Sequence, residues 1–108
     1  MNYHLYITDT AGKDISRAVD YINFVLKNPK AADALLEETD QNINALLPFP
    51  LEHPVVEDKL LAAWGVRFLQ IKNYFAFYVV EESQVTVIRF LYAKSDWGSI
   101  LRAGVSLV

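Results

Sequence analysis

The chain has 108 residues, 53% hydrophobic, and no cysteine. That supports one core in one domain over 1–108 and excludes disulfides, thiolate nucleophiles and cysteine metal sites. The net charge of −3 hides an asymmetry: up to Asp58 ten acids face four bases, and from Lys59 onward six bases face three acids. This reads either as an acidic solvated helix face beside an ordinary sheet or as a functional basic surface.

Tyr3 to Ile7 is rich in aromatic and β-branched residues and is predicted as a strand, with Thr8-Asp9-Thr10 as a turn or cap. Asp14 to Lys27 carries Ile15, Ala18, Val19, Ile22, Val25 and Leu26 at three- and four-residue steps, the stripe of an amphipathic helix. Asn28-Pro29 marks a stop and restart, because Asn caps well and Pro suits a first helical turn. Lys30 to Leu47 is the second predicted helix, ended by Pro48-Phe49-Pro50. So short a link between the two helices implies an antiparallel hairpin.

Leu51 to Trp64 is predicted as a loop with a helical turn near Lys59 to Ala63. Three strands follow: Val66 to Ile71, Tyr74 to Val80 and Val85 to Tyr92. The short turns Lys72-Asn73 and Glu81 to Gln84 imply an antiparallel meander. Simple alternation places Val85, Val87, Arg89 and Leu91 on one face and Thr86, Ile88, Phe90 and Tyr92 on the other. Ser95 to Arg102 is predicted as a short closing helix with Ser95 as its cap and Asp96 in its first turn. The expected fold is α+β and two-layered, an N-terminal strand and helical hairpin packed on an antiparallel sheet in the order β-α-α-β-β-β-α.

Motifs for common chemistries are missing from the sequence. The four glycines are scattered, so there is no phosphate loop. His4 and His53 stand alone, without a metal-ligand partner at i+3 or i+4. No serine lies in a nucleophile elbow. The pairs Glu37-Glu38 and Glu81-Glu82 read as helix-surface and turn acids rather than an acid–base pair. No metal and no cofactor are expected. No apolar run approaches the ~20 residues of a membrane span, and the N-terminus lacks a secretion-signal pattern, so a cytoplasmic protein with no membrane partner is expected.

What remains is cationic and aromatic. Arg67, Lys72, Arg89 and Lys94 lie on or beside the last three strands, with Tyr74, Tyr78, Tyr92 and Trp97 near them. Such a set could pair with phosphates and stack on bases or grip an acidic, partly hydrophobic peptide. Arg89, mid-strand among apolar residues, needs a partner if covered. Asp96 or an acid on the helices would serve.

The stretch from Gly65 through Arg67, Lys72-Asn73 and the aromatic strand ending Tyr78-Val79-Val80 resembles the signature of the RelE/ParE superfamily of type II toxins, the plasmid-stabilisation proteins. The continuation Val87-Ile88-Arg89-Phe90-Leu91-Tyr92-Ala93-Lys94-Ser95-Asp96-Trp97 is similar to the family's "v-I-R-v-l-y/h-g-r-r-D" tail, and Ile100-Leu101 to its closing position. The resemblance implies a bacterial toxin neutralised by a cognate antitoxin, with no direct DNA binding expected in the antitoxin's absence. RelE-like members cut messenger RNA on the ribosome; ParE-like members inhibit DNA gyrase. For the nuclease branch it implies the candidates Arg67, Lys72, Arg89, Tyr92 and Lys94. For target or antitoxin binding it implies Arg67, Tyr74, Arg89, Lys94, Asp96 and Trp97. An acidic antitoxin tail would favour the basic second part.

The chain departs from the nuclease pattern. Phe75 stands where RelE-like nucleases carry an arginine in the aromatic strand, and "g-r-r-D" is here Ala93-Lys94-Ser95-Asp96. The tail resembles ParE-like toxins more closely, so gyrase or another protein is the expected target. The alternatives are a ribosome-dependent mRNA endoribonuclease and a degenerate, non-toxic binding partner.

Overall fold

The computed structural model describes residues 3–105. In chain order it has strand β1 (His4–Ile7), helix α1 (Asp9–Asp20) running into a π-helical turn (Tyr21–Val25), and helix α2 (Pro29–Asn44). Helix α3 (Lys59–Ala63), strands β2 (Arg67–Ile71), β3 (Tyr74–Glu81) and β4 (Gln84–Tyr92), and helix α4 (Trp97–Val105) follow. The fold is α+β, with the predicted order of strand, hairpin, three strands and closing helix, and the helical turn expected near Lys59 to Ala63 is the short α3.

Local chemistry sets the helix boundaries. Thr8 caps α1 by accepting a hydrogen bond from the Ala11 amide at 3.1 Å, so α1 begins five residues before the predicted Asp14. Asn28 caps α2 by accepting from the Ala31 amide at 3.1 Å, and Pro29 occupies the first turn. Asp58 caps α3 through the Leu61 amide. Ser95 does not cap α4: its hydroxyl donates to the Tyr92 carbonyl at 2.6 Å. Asp96 sits just before α4, and its carbonyl accepts from the Ile100 amide. Gly65 has φ +77°, the left-handed conformation that lets the chain turn from α3 into β2.

The sheet order is β1-β4-β3-β2. The last three strands form the expected antiparallel meander. β1 pairs with β4 in parallel, from His4 opposite Gln84 to Ile7 opposite Val87, so the sheet as a whole is mixed. A parallel neighbour needs a long crossover, and the helices together with β2 and β3 supply it.

Two cores sandwich the sheet. On one face Ala11, Ala18, Leu35, Ile43 and Leu46 of the hairpin pack on Leu69, Ala76, Tyr78, Val85, Val87 and Phe90. On the other, Leu61 and Leu101 of α3 and α4, with Trp97, cover Phe77, Phe68, Phe75, Ile88 and Leu91. Each such buried aliphatic or aromatic side chain stabilises the fold by about 1.5–3 kcal/mol.

Two predicted patterns fail for backbone reasons. Phe77 pairs with Arg89 but Tyr78 pairs with Val87, leaving Ile88 as a bulge. The extra residue reverses the alternation, so Val85 and Val87 face the hairpin while Leu91 faces the opposite core. The π-turn likewise inserts extra rotation into the first helix. Ile22 still packs on the core, but Val25 and Leu26, predicted in the apolar stripe, are exposed.

Candidate functional site

The structure divides the candidate residues between the middle of the sheet and one of its ends. In the middle, Arg89 is held by Asp14 of α1. Its Nε donates to Oδ2 at 2.7 Å and Nη2 to Oδ1 at 3.0 Å. The Phe90 amide donates to the same Oδ2 at 3.1 Å. The Asp14 side chain is only 4% exposed and that of Arg89 23%. The partner of Arg89 is therefore an acid on the hairpin, one of the two sources that the sequence left open. Its planar fork meets the carboxylate in two parallel bonds.

Arg67 of β2, the register partner of Tyr78 on β3, turns its guanidinium to the preceding loop. Its Nη1 donates to the His53 carbonyl at 2.5 Å and the Leu51 carbonyl at 3.3 Å. The buried Tyr78 hydroxyl donates to the Pro50 carbonyl at 2.7 Å. Burial pushes that phenol up to about 12, so it stays a donor throughout the neutral range. Arg67 and Tyr78 together pin the loop against the sheet. Arg102 of α4 pairs with Asp58, the cap of α3, and joins the two helices over the second core. The Leu61 amide, and then Arg102, hold the Asp58 carboxyl below its ordinary range despite some desolvation.

Trp97 packs over this second face, its ring 5.2 Å from Phe77 and 6.3 Å from Phe75. Phe68 adds an edge contact to Phe75 at 5.0 Å. The sheet surface around Phe75 is thus an aromatic core. The Asp96 side chain is exposed and forms no ion pair among the described residues.

At the end of the sheet, Lys72, Tyr74, Tyr92 and Lys94 come together. Tyr74 and Tyr92 are register partners with rings 5.9 Å apart, and Tyr74 stacks on Phe90 at 5.0 Å. Lys72 forms a surface ion pair with Glu38 of α2 at 3.1 Å. Lys94 lies in the following turn, whose Ala93 amide donates to the Asn73 carbonyl at 2.8 Å, and forms no ion pair among the described residues.

This end also borders a cleft that sequence reading missed. Tyr21, Ile22 and Leu26 from the π-turn region and Asn73, Tyr74 and Tyr92 from the sheet line a space of about 550 Å³. Burial, and then the neighbouring Tyr92 and Tyr21 hydroxyls, raise the Tyr74 phenol above its ordinary value. Periodicity gave no signal for this cleft, because Ile22, Val25 and Leu26 fit an ordinary helical stripe. Among the described residues, no group of three or more His, Cys, Asp or Glu could hold a metal ion, and no helix is long and apolar enough to cross a membrane.

Residues 5–97 match the family described as ParE toxin of type II toxin–antitoxin system, parDE. The match runs from β1 to the first residue of α4. No curated protein matches the chain. Among solved structures, the chromosomal ParDE toxin–antitoxin system from P. aeruginosa is similar with a TM-score of 0.71 at 18% identity, covering 85% of this chain and 97% of that one. The toxin–antitoxin complex RelBE2 from Mycobacterium tuberculosis is similar with a TM-score of 0.56, also at 18% identity, covering 85% and 99%. At such identity these two likenesses speak for the fold alone, while the family match spans most of the sequence. The chain belongs to the ParE toxin family of type II toxin–antitoxin systems.

Proposed function

We propose that this chain is the toxin of a type II toxin–antitoxin pair and that it acts by gripping a protein target, DNA gyrase being the first candidate, rather than by cutting RNA. One observation carries this reading: most of the cations that a nuclease would need are already engaged by the chain's own groups. Arg89 is clamped by Asp14, Arg67 is bonded to loop carbonyls, and Lys72 is paired with Glu38. Of the four candidate cations only Lys94 lacks such a partner among the described residues. Stabilising a phosphate transition state requires several preorganised charges aimed at one place. The sheet face around Phe75 offers packed aromatic rings instead.

In this reading a cognate antitoxin neutralises the toxin by covering an exposed surface, and the target is recognised through shape and apolar contact. Purified toxin added to a gyrase supercoiling reaction is expected to stop supercoiling in a dose-dependent way. Mapping messenger RNA ends after induction is expected to show no new cleavage sites. Messenger cleavage abolished by Lys94→Ala and Tyr92→Phe would replace this reading with the nuclease one. Growth unharmed by the toxin without its antitoxin would point to the degenerate binding partner.

A further inference from the structure

The two edges of the sheet differ. Along β2 the segment before α3 covers the edge. The Val56 amide donates to the Val66 carbonyl at 3.0 Å, the Phe68 amide donates to the Pro54 carbonyl at 3.3 Å, and Val55 bridges to Arg67. Along β1 no such segment lies among the described residues. The His4 amide donates to the Ser83 carbonyl and the Thr8 amide to the Val87 carbonyl. In this parallel ladder His4, Tyr6 and Thr8 therefore turn their backbone groups to β4. Leu5 and Ile7, between them, turn theirs outward, and no described residue hydrogen-bonds to those outward groups.

An open edge is a template for another strand, and proteins commonly guard it with lysine, proline or a bulge. The strand His4-Leu5-Tyr6-Ile7 has no acid, lysine, arginine or proline, and it runs in unbroken register along β4. Its open side chains are aromatic and aliphatic: Tyr6 is 51% exposed and Ile7 37%.

The spacing of the open groups selects the partner. Leu5 and Ile7 lie symmetrically about Tyr6. An antiparallel copy of the same strand, turned about a two-fold axis at Tyr6, sets Leu5 opposite the partner's Ile7 and Ile7 opposite the partner's Leu5. Each such pair exchanges its amide and carbonyl bonds, so every open backbone group of Leu5 and Ile7 in both strands is used. Tyr6 meets its own copy as a non-hydrogen-bonded pair, where side chains come closest and aromatic pairs stabilise a sheet. Leu5 already packs on the core under the hairpin, and its contact with Ile7 carries that apolar layer across the axis.

We propose that β1 is a self-pairing edge, through which two copies of this chain join antiparallel and merge their four-stranded sheets into one. The same patch serves both copies, as in any two-fold contact. The contact is short and falls below the size of a standard interface, so the association is weak and reversible. It does not depend on which target the chain grips.

The test uses the full chain. Sedimentation velocity over a series of micromolar concentrations is expected to show a monomer–dimer equilibrium. Ile7→Pro removes an outward amide and no bond to β4, and an edge strand tolerates proline there. It is expected to weaken dimerisation by at least about tenfold. The chain has no cysteine, so Tyr6→Cys gives an independent reading should the proline variant fail to fold. Across the axis the paired Cα atoms would stand about 4.5 Å apart, within disulfide reach, and mild oxidation is expected to give a covalent dimer. Phe24→Cys, at the exposed hairpin tip, is expected to stay monomeric under the same oxidation. A chain that is monomeric throughout, with no Tyr6→Cys cross-link, overturns the proposal. A dimer that a folded Ile7→Pro leaves at full strength also overturns it. So does one that cross-links through Phe24→Cys and not through Tyr6→Cys, which would move the contact to the hairpin.

Discussion

The strands of the sheet and the tip of the helical hairpin contrast in the opposite sense to their sequences. The strands carry the arginines that look functional, and the structure turns those side chains inward, onto Asp14 and onto the loop carbonyls of Leu51 and His53. The hairpin tip carries residues that look like core, and the structure leaves Phe24, Val25 and Leu26 in solvent. Charge in a strand is therefore a poor guide to a site when a buried acid lies within reach, and apolar character in a helix is a poor guide to burial across a π-turn. The charged residues are tied into the fold, and the apolar ones are left exposed.

The largest effect that would break this contrast is at Asp14. Removing its carboxylate leaves the largely covered Arg89 and the Phe90 amide without their acceptor. Asp14→Ala is expected to cost about 3 kcal/mol or more, read as a lowered denaturation midpoint. Replacing both partners with apolar residues, Asp14→Leu/Arg89→Met, should recover much of that loss, because no unpaired charge remains. A stable Asp14→Ala variant that has lost its activity would return Arg89 to the site.

A second, smaller effect concerns the loop pin. Tyr78→Phe removes the hydrogen bond to Pro50 and should cost about 1–2 kcal/mol. It should also change the alkaline limb of the stability curve. The folded phenol sits at about 12, above its unfolded value near 10, so the native state keeps a proton that the unfolded chain has lost. The Tyr78 contribution is full below about pH 10 and is lost between about pH 10 and 12, and this part of the fall should vanish in Tyr78→Phe. At the acid end, the lowered carboxyl of Asp58 works the other way. Its contribution is present above its unfolded value near 3.8 and is lost as the pH falls through the lower folded value, so Asp58→Asn should flatten that limb.

Smaller still is Thr39, a buried helix residue whose hydroxyl has no hydrogen-bond partner among the described residues. Thr39→Val is expected to raise stability by up to about 1 kcal/mol, since it removes an unsatisfied polar group while keeping the shape. The smallest effect is expected at the hairpin tip. Phe24→Glu should change stability by less than about 0.5 kcal/mol, which sharpens the contrast with Asp14: one position matters to the fold and the other does not.

Much of the fold was readable in the sequence because it is written locally. Asn28-Pro29 specified a helix start, Lys72-Asn73 a tight turn, and the aromatic and β-branched runs the strands. The unread parts depend on distant partners. The bulge at Ile88 is a matter of register against Phe77 and Tyr78. The parallel pairing of β1 links residues about 80 positions apart. Asp14 gave no sign that it would meet Arg89, 75 residues away. The candidate site was legible as a list of residue types, and only the packing could sort them. Tyr74, Tyr92 and Lys94 ended up at one end of the sheet, while Arg67 and Arg89 were drawn into the structure. Tyr21, Leu26 and Asn73 carried no signal of the cleft, because the π-turn that exposes the first two does not disturb the apolar spacing.

The most direct test of a protein-gripping toxin is gyrase supercoiling in the presence of purified wild-type chain, with Arg67→Ala and Lys94→Ala alongside. Dose-dependent inhibition by the wild type, retained by both variants so long as they stay folded, is the expected result. Undisturbed supercoiling at micromolar toxin, together with ribosome-dependent messenger cleavage that either variant abolishes, would contradict it.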